Sequence, residues 1–184
     1  MVKILYLVAG ANGSGKTTFA RELLTKEKAC FLNADEIMLK RNITPLKAGK
    51  EYFKKLKLSI KTGKSVVLET TLSGNNHQKI IESFMSAGYK IHLFYVFLDN
   101  AEACIDRVAL RVAKGGHNVP QADIIRRYER SKKGLSALKN KVDFWVLVYN
   151  GAREYEMVAS GKGSHIEIVN DALYNFFMNG AKNG

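Results

Sequence analysis

Four runs of this 184-residue chain are apolar at nearly every position: Ile4-Leu-Tyr-Leu-Val8, Val66-Val-Leu68, Leu93-Phe-Tyr-Val-Phe-Leu98 and Phe144-Trp-Val-Leu-Val148. Runs of that kind suit strands buried on both faces, as in a parallel sheet covered by helices. Between them the apolar positions recur with a helical period. The pattern predicts strands over 3–9, 29–33, 65–69, 90–98 and 144–149, with a weaker strand near 154–159. Helices are expected over 15–26, about 45–62, about 75–86, 101–113, 121–139 and about 170–179. Strands alternating with helices imply a three-layer α/β domain around a mostly parallel sheet, and 184 residues suit a single domain spanning 1–184. Within 46–61, Phe53, Leu56 and Ile60 fall on one helical stripe, leaving Lys50, Lys54, Lys57 and Lys61 outward as a solvated face.

Chemistry enters directly after the first strand. Residues 10–17 read Gly-Ala-Asn-Gly-Ser-Gly-Lys-Thr, the phosphate-binding loop G-x-x-x-x-G-K-[ST], placed between an apolar run and a helical pattern. Its glycines let consecutive backbone N–H groups curl around an anion at the positive end of the next helix. Ala11, Asn12, Gly13, Ser14, Gly15, Lys16, Thr17 and Thr18 are therefore the expected nucleotide-binding residues. Lys16 should reach the β- and γ-phosphates, and the Thr17 hydroxyl should serve Mg²⁺. The chain is expected to bind a nucleoside triphosphate, ATP or GTP.

Composition narrows the partners. No apolar stretch approaches membrane-spanning length, and the apolar N-terminal run leads straight into the phosphate loop, so it reads as a strand rather than a cleaved leader. Cys30 and Cys104 have neither metal nor disulfide spacing and read as core residues of a reducing, cytoplasmic protein. The net charge of +12 is concentrated in two segments. Residues 40–64 carry nine Lys/Arg against one acid, Glu51, and residues 101–141 carry ten against four. The second segment is rich in arginine and contains Gly115-Gly116, and arginine forks suit phosphate better than lysine does.

Ligands of such sheets bind at the carboxyl ends of the strands, where three acids fall. Asp35 follows Phe31-Leu-Asn-Ala and stands either as a helix N-cap before Glu36 or as a reacting group. Glu69 ends a buried strand and must find donors, with Thr70 and Thr71 beside it. Asp99 reads as the turn and N-cap before Ala101, while Tyr128 and Trp145 read as core packing. Leu72-Ser-Gly-Asn-Asn-His-Gln78 with Asp99 is superficially similar to the signature of transporter-type ATPases, but the chain has no room for their extra helical subdomain.

Taken together, Gly10–Thr17, Asn33-Ala-Asp35, Glu69-Thr-Thr-Leu-Ser-Gly74 and the run from Arg107 through Arg111, Gly115-Gly-His117, Pro120 and Arg127-Tyr128 to Arg130-Ser131 resemble the short zeta-toxin-like P-loop kinases. The resemblance extends over about residues 3–150. It departs after the last core strand, where Asn150-Gly-Ala152 stands in place of Asp-Asn-Ser. The resemblance implies a P-loop NTPase/kinase fold with a helical lid over about 111–130, and transfer of the γ-phosphate to a small-molecule hydroxyl. UDP-N-acetylglucosamine is the acceptor of the larger zeta toxins, and the family brings an antitoxin protein into consideration as partner.

Carried over residue by residue, Asp35 matches the acid that orients or deprotonates the attacking hydroxyl, and Glu69 matches the one that holds the acceptor. Arg107, Arg111, Arg127 and Arg130 are placed as a cationic clamp, with Arg111 and Arg127 the expected phosphate contacts and His117 a contact for acceptor or phosphate. Two other readings share these features: a nucleic-acid-binding ATPase or polynucleotide-end kinase, to which the +12 charge points, and a housekeeping kinase of a nucleoside, sugar or antibiotic.

Overall fold

The computed structural model describes residues 2–74, 76–151 and 154–179, the side chains of Asp35 and Asn76 excepted. In chain order the elements are β1 (Ile4–Ala9), α1 (Lys16–Lys26), β2 (Cys30–Leu32), α2 (Ala34–Arg41), α3 (Pro45–Thr62), β3 (Val66–Thr70), α4 (Asn76–Ser86) and β4 (Lys90–Phe97). There follow α5 (Ala101–Ala113), α6 (Gln121–Leu138), a 3-10 turn (Lys139–Lys141), β5 (Phe144–Tyr149), β6 (Glu156–Lys162), β7 (His165–Ile168) and α7 (Asp171–Asn179).

All seven strands form one sheet in the order β2-β3-β1-β4-β5-β6-β7. The first five are mutually parallel, and β6 and β7 add as antiparallel strands at one edge. The continuous apolar runs follow from this: successive residues of β1 point to opposite faces, and both faces are covered. Leu5, Leu7 and Ala9 pack with Leu56 of α3, Phe84 of α4, Leu135 of α6 and Phe177 of α7. Tyr6 and Val8 pack on the other face against Ala20, Phe19 and Leu23 of α1. The fold is the three-layer, mostly parallel α/β fold expected. A third cluster, Ala11, Leu98, Cys104, Val108, Val119, Ile124 and Tyr128, fastens α5 and α6 to the carboxyl end of β4 and to the phosphate loop.

The structure corrects four readings of the sequence. Helix α2 is a separate element between β2 and α3, and its N-cap is Asn33, whose side chain accepts from the Glu36 N–H at 3.1 Å; Asp35 lies inside the first turn. Asn100 rather than Asp99 caps α5, accepting from the Ala103 N–H at 2.8 Å, while Asp99 accepts from the Tyr149 hydroxyl. Phe53 is not on the packed stripe of α3 but 49% exposed; Ala48, Leu56 and Ser59 are the buried positions. The weak strand begins later than expected and continues into a hairpin with β7, an edge strand exposed throughout. Tyr128 and Trp145 are core residues, as their sequence context suggested.

Candidate active site

The loop from Gly10 to Thr17 turns between β1 and the N-terminus of α1, so the first N–H groups of that helix open onto the sheet's carboxyl edge. Gly13 and Gly15 have φ of 85° and 96°. A Cβ on Gly13 would stand 2.4 Å from the Cys104 carbonyl, and one on Gly15 would stand 2.1 Å from Asn150 Nδ2, so neighbouring elements close on the loop backbone itself. Inside the loop the Ser14 hydroxyl is buried and has no hydrogen-bond partner among the described residues. Lys16 is nearly buried, and its Nζ donates to the Ala11 carbonyl at 2.6 Å. An ammonium held on a loop carbonyl, beside a cradle that a side chain at Gly13 or Gly15 would fill, fits an anion such as a triphosphate.

Next to the loop, β3 pairs in parallel register with β1, Val8 opposite Glu69 and Ala9 opposite Thr70. That register brings Glu69 to Thr17, whose hydroxyl donates to Glu69 Oε2 at 3.0 Å. Among the described residues no group of three or more His, Cys, Asp or Glu side chains gathers as a metal cage. One hydroxyl and one carboxylate beside a phosphate cradle are the donor set that suits magnesium bound partly through substrate phosphates. The hydroxyls of Thr70 and Thr71 are engaged locally: Thr70 accepts from the Leu72 N–H and Thr71 bonds Ser73. They hold the turn in which Leu72 adopts a φ of 52°.

Cations arrive from α5 and α6. Arg127 donates to Asn12 Oδ1 in the phosphate loop at 3.3 Å and pairs with Asp123 at 3.4 Å. Arg111 donates to the His117 carbonyl at 2.9 Å across the Gly115-Gly116 turn. Both arginines and His117 line a cleft of about 730 Å³ that also contains Asn12, Lys16, Thr17, Glu69, Thr70 and Thr71. Asn33, Ala34 and Glu36, on either side of Asp35, form its rim. The Asp35 side chain itself lies outside the described part of the structure. Ala11 and Ser14 are buried behind the loop rather than facing the cleft. Arg130 takes a different place, in a second cleft between α4 and α6 with His77 and Lys133.

Two residues not among the expected site residues, Asn150 and Tyr155, brace the loop from the β5–β6 side, and Arg107, expected in the cationic clamp, supports them from α5. Asn150 Nδ2 donates to the Ser14 carbonyl at 2.8 Å, and the Tyr155 hydroxyl donates to the Gly15 carbonyl at 2.9 Å. Arg107 in turn donates to the Asn150 carbonyl at 2.6 Å. The signal available in the sequence was position alone, since Asn150 follows the last parallel strand at the edge where ligands bind. Ala152 of the Asn150-Gly-Ala turn lies outside the described residues. Beside the brace a larger trough of about 1210 Å³ runs along the sheet from Gly13 and Arg107 past Phe94 and Val148. Beneath the loop, burial pushes the Cys104 thiol up to about 11, which marks it as an inert packing group.

Known proteins share this fold. An uncharacterized protein of Haemophilus influenzae is 27% identical over 124 residues, covering 65% of this chain and 88% of that one. Among solved structures, the PezAT chromosomal toxin–antitoxin system of Streptococcus pneumoniae matches 97% of this chain and 79% of that chain, with a TM-score of 0.66 at 17% identity. The AvrRxo1-ORF1:-ORF2 complex matches 96% of this chain with a TM-score of 0.65 at 17% identity, and its fold has also been solved with ATP. The chain spans 63% of the length of that AvrRxo1 structure. These likenesses establish a shared fold, the one that the zeta-toxin-like resemblance of the motifs implies. Residues 5–131 match the family model described as an AAA domain, which takes in the phosphate loop, Glu69 and both cleft arginines, and the chain belongs to that family.

Proposed function

We propose that the chain is a P-loop kinase that transfers the γ-phosphoryl group of ATP or GTP to a hydroxyl of a small molecule. The observation that carries this reading is the convergence of Lys16, Arg111 and Arg127 with the carboxylate of Glu69 in one cleft, at the rim of which α2 begins. Phosphoryl transfer asks little covalent chemistry of a protein, and cations around the equatorial oxygens plus a positioned acid supply most of the catalysis.

In this reading the triphosphate displaces internal partners of the loop. Lys16 exchanges the Ala11 carbonyl for the β- and γ-phosphates, and Arg127 exchanges Asn12 and Asp123 for the γ-phosphoryl oxygens. Magnesium held by Thr17 and Glu69 would neutralise charge on the β- and γ-phosphates. The Thr17–Glu69 hydrogen bond supports Glu69 on this metal side rather than as the acceptor holder that the resemblance implies. Asp35 accepts the proton of the acceptor hydroxyl as its oxygen attacks the γ-phosphorus, and the bond from that phosphorus to the β,γ-bridging oxygen breaks to release the nucleoside diphosphate. The nucleoside of the donor occupies the loop end of the larger trough, beside Arg107 and Asn150.

The moving part is short. Val119, Ile124 and Tyr128 are buried in the cluster that anchors α6, which supports a closure centred on the exposed turn 114–118 within the expected lid of 111–130. A UDP-N-acetylamino sugar is the first acceptor to test, and the shared fold of the PezAT toxin–antitoxin system makes an antitoxin protein a partner to seek. Asp35→Asn tests the chemistry: nucleotide affinity stays within a few-fold while transfer falls by about 10² or more, the scale of a positioned acid–base group. Equal loss of binding and transfer would move Asp35 out of the reaction.

A further inference from the structure

The outer face of α3 carries Lys47, Lys50, Lys54, Lys57 and Lys61, each three or four residues after the last. With a rise of 1.5 Å per residue the row is about 21 Å long, an ammonium roughly every 5 Å. All five lysines are exposed, and among the described residues none is in an ion pair. The acid of this helix, Glu51, is turned to its flank, where it pairs with Arg41 at 3.1 Å and Lys55 at 3.4 Å. Like charges at these spacings repel, and an anion laid along the row relieves that repulsion.

Three large apolar side chains border the row: Leu46 is 71% exposed, Phe53 49% and Leu58 57%. At 3.6 residues per turn the lysines fill an arc of about 80°, with Leu46 and Phe53 along one edge and Leu58 along the other. A helix seated in a membrane surface has the opposite layout, apolar at its centre and cationic at its margins. A partner helix would need a continuous apolar seam at three- and four-residue spacing, and 46, 53 and 58 do not make one. What fits is a line of anionic charge with flat apolar groups at its side. Lysines then act as point charges on phosphates, and the exposed ring of Phe53 is a platform for a base.

We propose that the outer face of α3 binds single-stranded nucleic acid, its phosphodiester backbone on the Lys47–Lys61 row and a base on Phe53. No residue of α3 lines the nucleotide cleft, so this surface is separate from the phosphoryl-transfer site and its test does not depend on that reading.

Fluorescence anisotropy of a fluorescein-labelled oligothymidylate of about 20 nucleotides, titrated across salt concentrations, is the test. Five lysine–phosphate contacts predict a slope of log Kobs against log salt of roughly −3.5 for a single strand. The K50A/K54A/K57A triple variant should weaken binding at low salt at least tenfold and reduce the slope by about 2. Phe53→Ala should weaken binding by about fivefold or more and leave the slope unchanged, because stacking carries no counterion. Nucleotide consumption should be unaltered in all of these variants, and each removes an exposed side chain in favour of a good helix former. A duplex of the same length should lose the dependence on Phe53. No binding at low salt, or wild-type binding by the triple variant, overturns the proposal. Displacement by poly-glutamate of matched charge as efficient as by unlabelled oligonucleotide would also overturn it, in favour of an acidic protein partner.

Discussion

The two basic segments of the molecule are built differently. In α5 and α6 four arginines are tied to named partners: Arg107 to the Asn150 carbonyl, Arg111 to the His117 carbonyl, Arg126 to Asp123, Arg127 to Asn12 and Asp123. In α3 the five lysines of the outer face stand in a row among exposed apolar side chains and make no ion pair among the described residues. Arginine forks with fixed partners hold a geometry, whereas lysines on flexible stems offer a field. The first arrangement suits a reacting phosphoryl group whose position must be held closely, the second a ligand whose charge repeats. Net charge alone, +12 for the chain, cannot separate these uses.

The sharpest way to break the comparison is to exchange the effects. Arg127→Ala should lower kcat by about 10² or more while nucleotide affinity changes much less, since the charge it answers is most spread in the transition state. Lys54→Ala should leave kcat unchanged. Steady-state kinetics on the two variants would contradict the assignment if they behaved alike.

A smaller effect is expected at the brace. Asn150→Ala removes the hydrogen bond to the Ser14 carbonyl, worth about 1 kcal/mol, and in a chain of this size each such loss lowers Tm by roughly 2–4 °C. Nucleotide affinity should fall with it, because Asn150 presses on the loop backbone at Gly15. Calorimetry and nucleotide titration of this variant, showing neither change, would leave the brace without a role in holding the loop.

The smallest signal lies in the turn between α5 and α6. Residues 114–118 are exposed, while Val119 and Ile124 behind them are buried. Amide exchange of 114–118 should be fast without ligand and slow several-fold when nucleotide and acceptor are added, with α6 already protected beyond Ile124. Protection gained uniformly over 111–130 would restore a larger lid.

How much of this was legible depends on the range of the interaction. The strands β1, β3, β4 and β5 could be read from apolar runs because burial on both faces leaves no polar position, and the phosphate loop could be read because its spacing is local. Strand β7 could not, since His165-Ile-Glu-Ile168 is four residues long, too short for its polar–apolar alternation to stand out. Helix α2 is only eight residues long, too short for its period to stand out between two longer elements. On α3 the apolar periodicity chose Phe53, but the packed stripe uses Ala48 and Ser59, whose small side chains let the helix approach the sheet and add little to a hydrophobic count. The Asn150 and Tyr155 brace rests on hydrogen bonds spanning 136 and 140 positions, fixed by the sheet order and by nothing local. Arg130 was expected in the same clamp as Arg127, yet it lies nearly one turn further along α6 and lines the cleft between α4 and α6.

The central claim, phosphoryl transfer at the Lys16–Arg127 cleft, is most directly tested by following γ-labelled ATP and GTP with a panel of hydroxyl acceptors, UDP-N-acetylamino sugars first, for the wild-type protein and Lys16→Ala. The account predicts label appearing on an acceptor hydroxyl in the wild type and a loss of well over tenfold in the variant, more than about 1.4 kcal/mol in barrier. Transfer by Lys16→Ala within tenfold of wild type would contradict it.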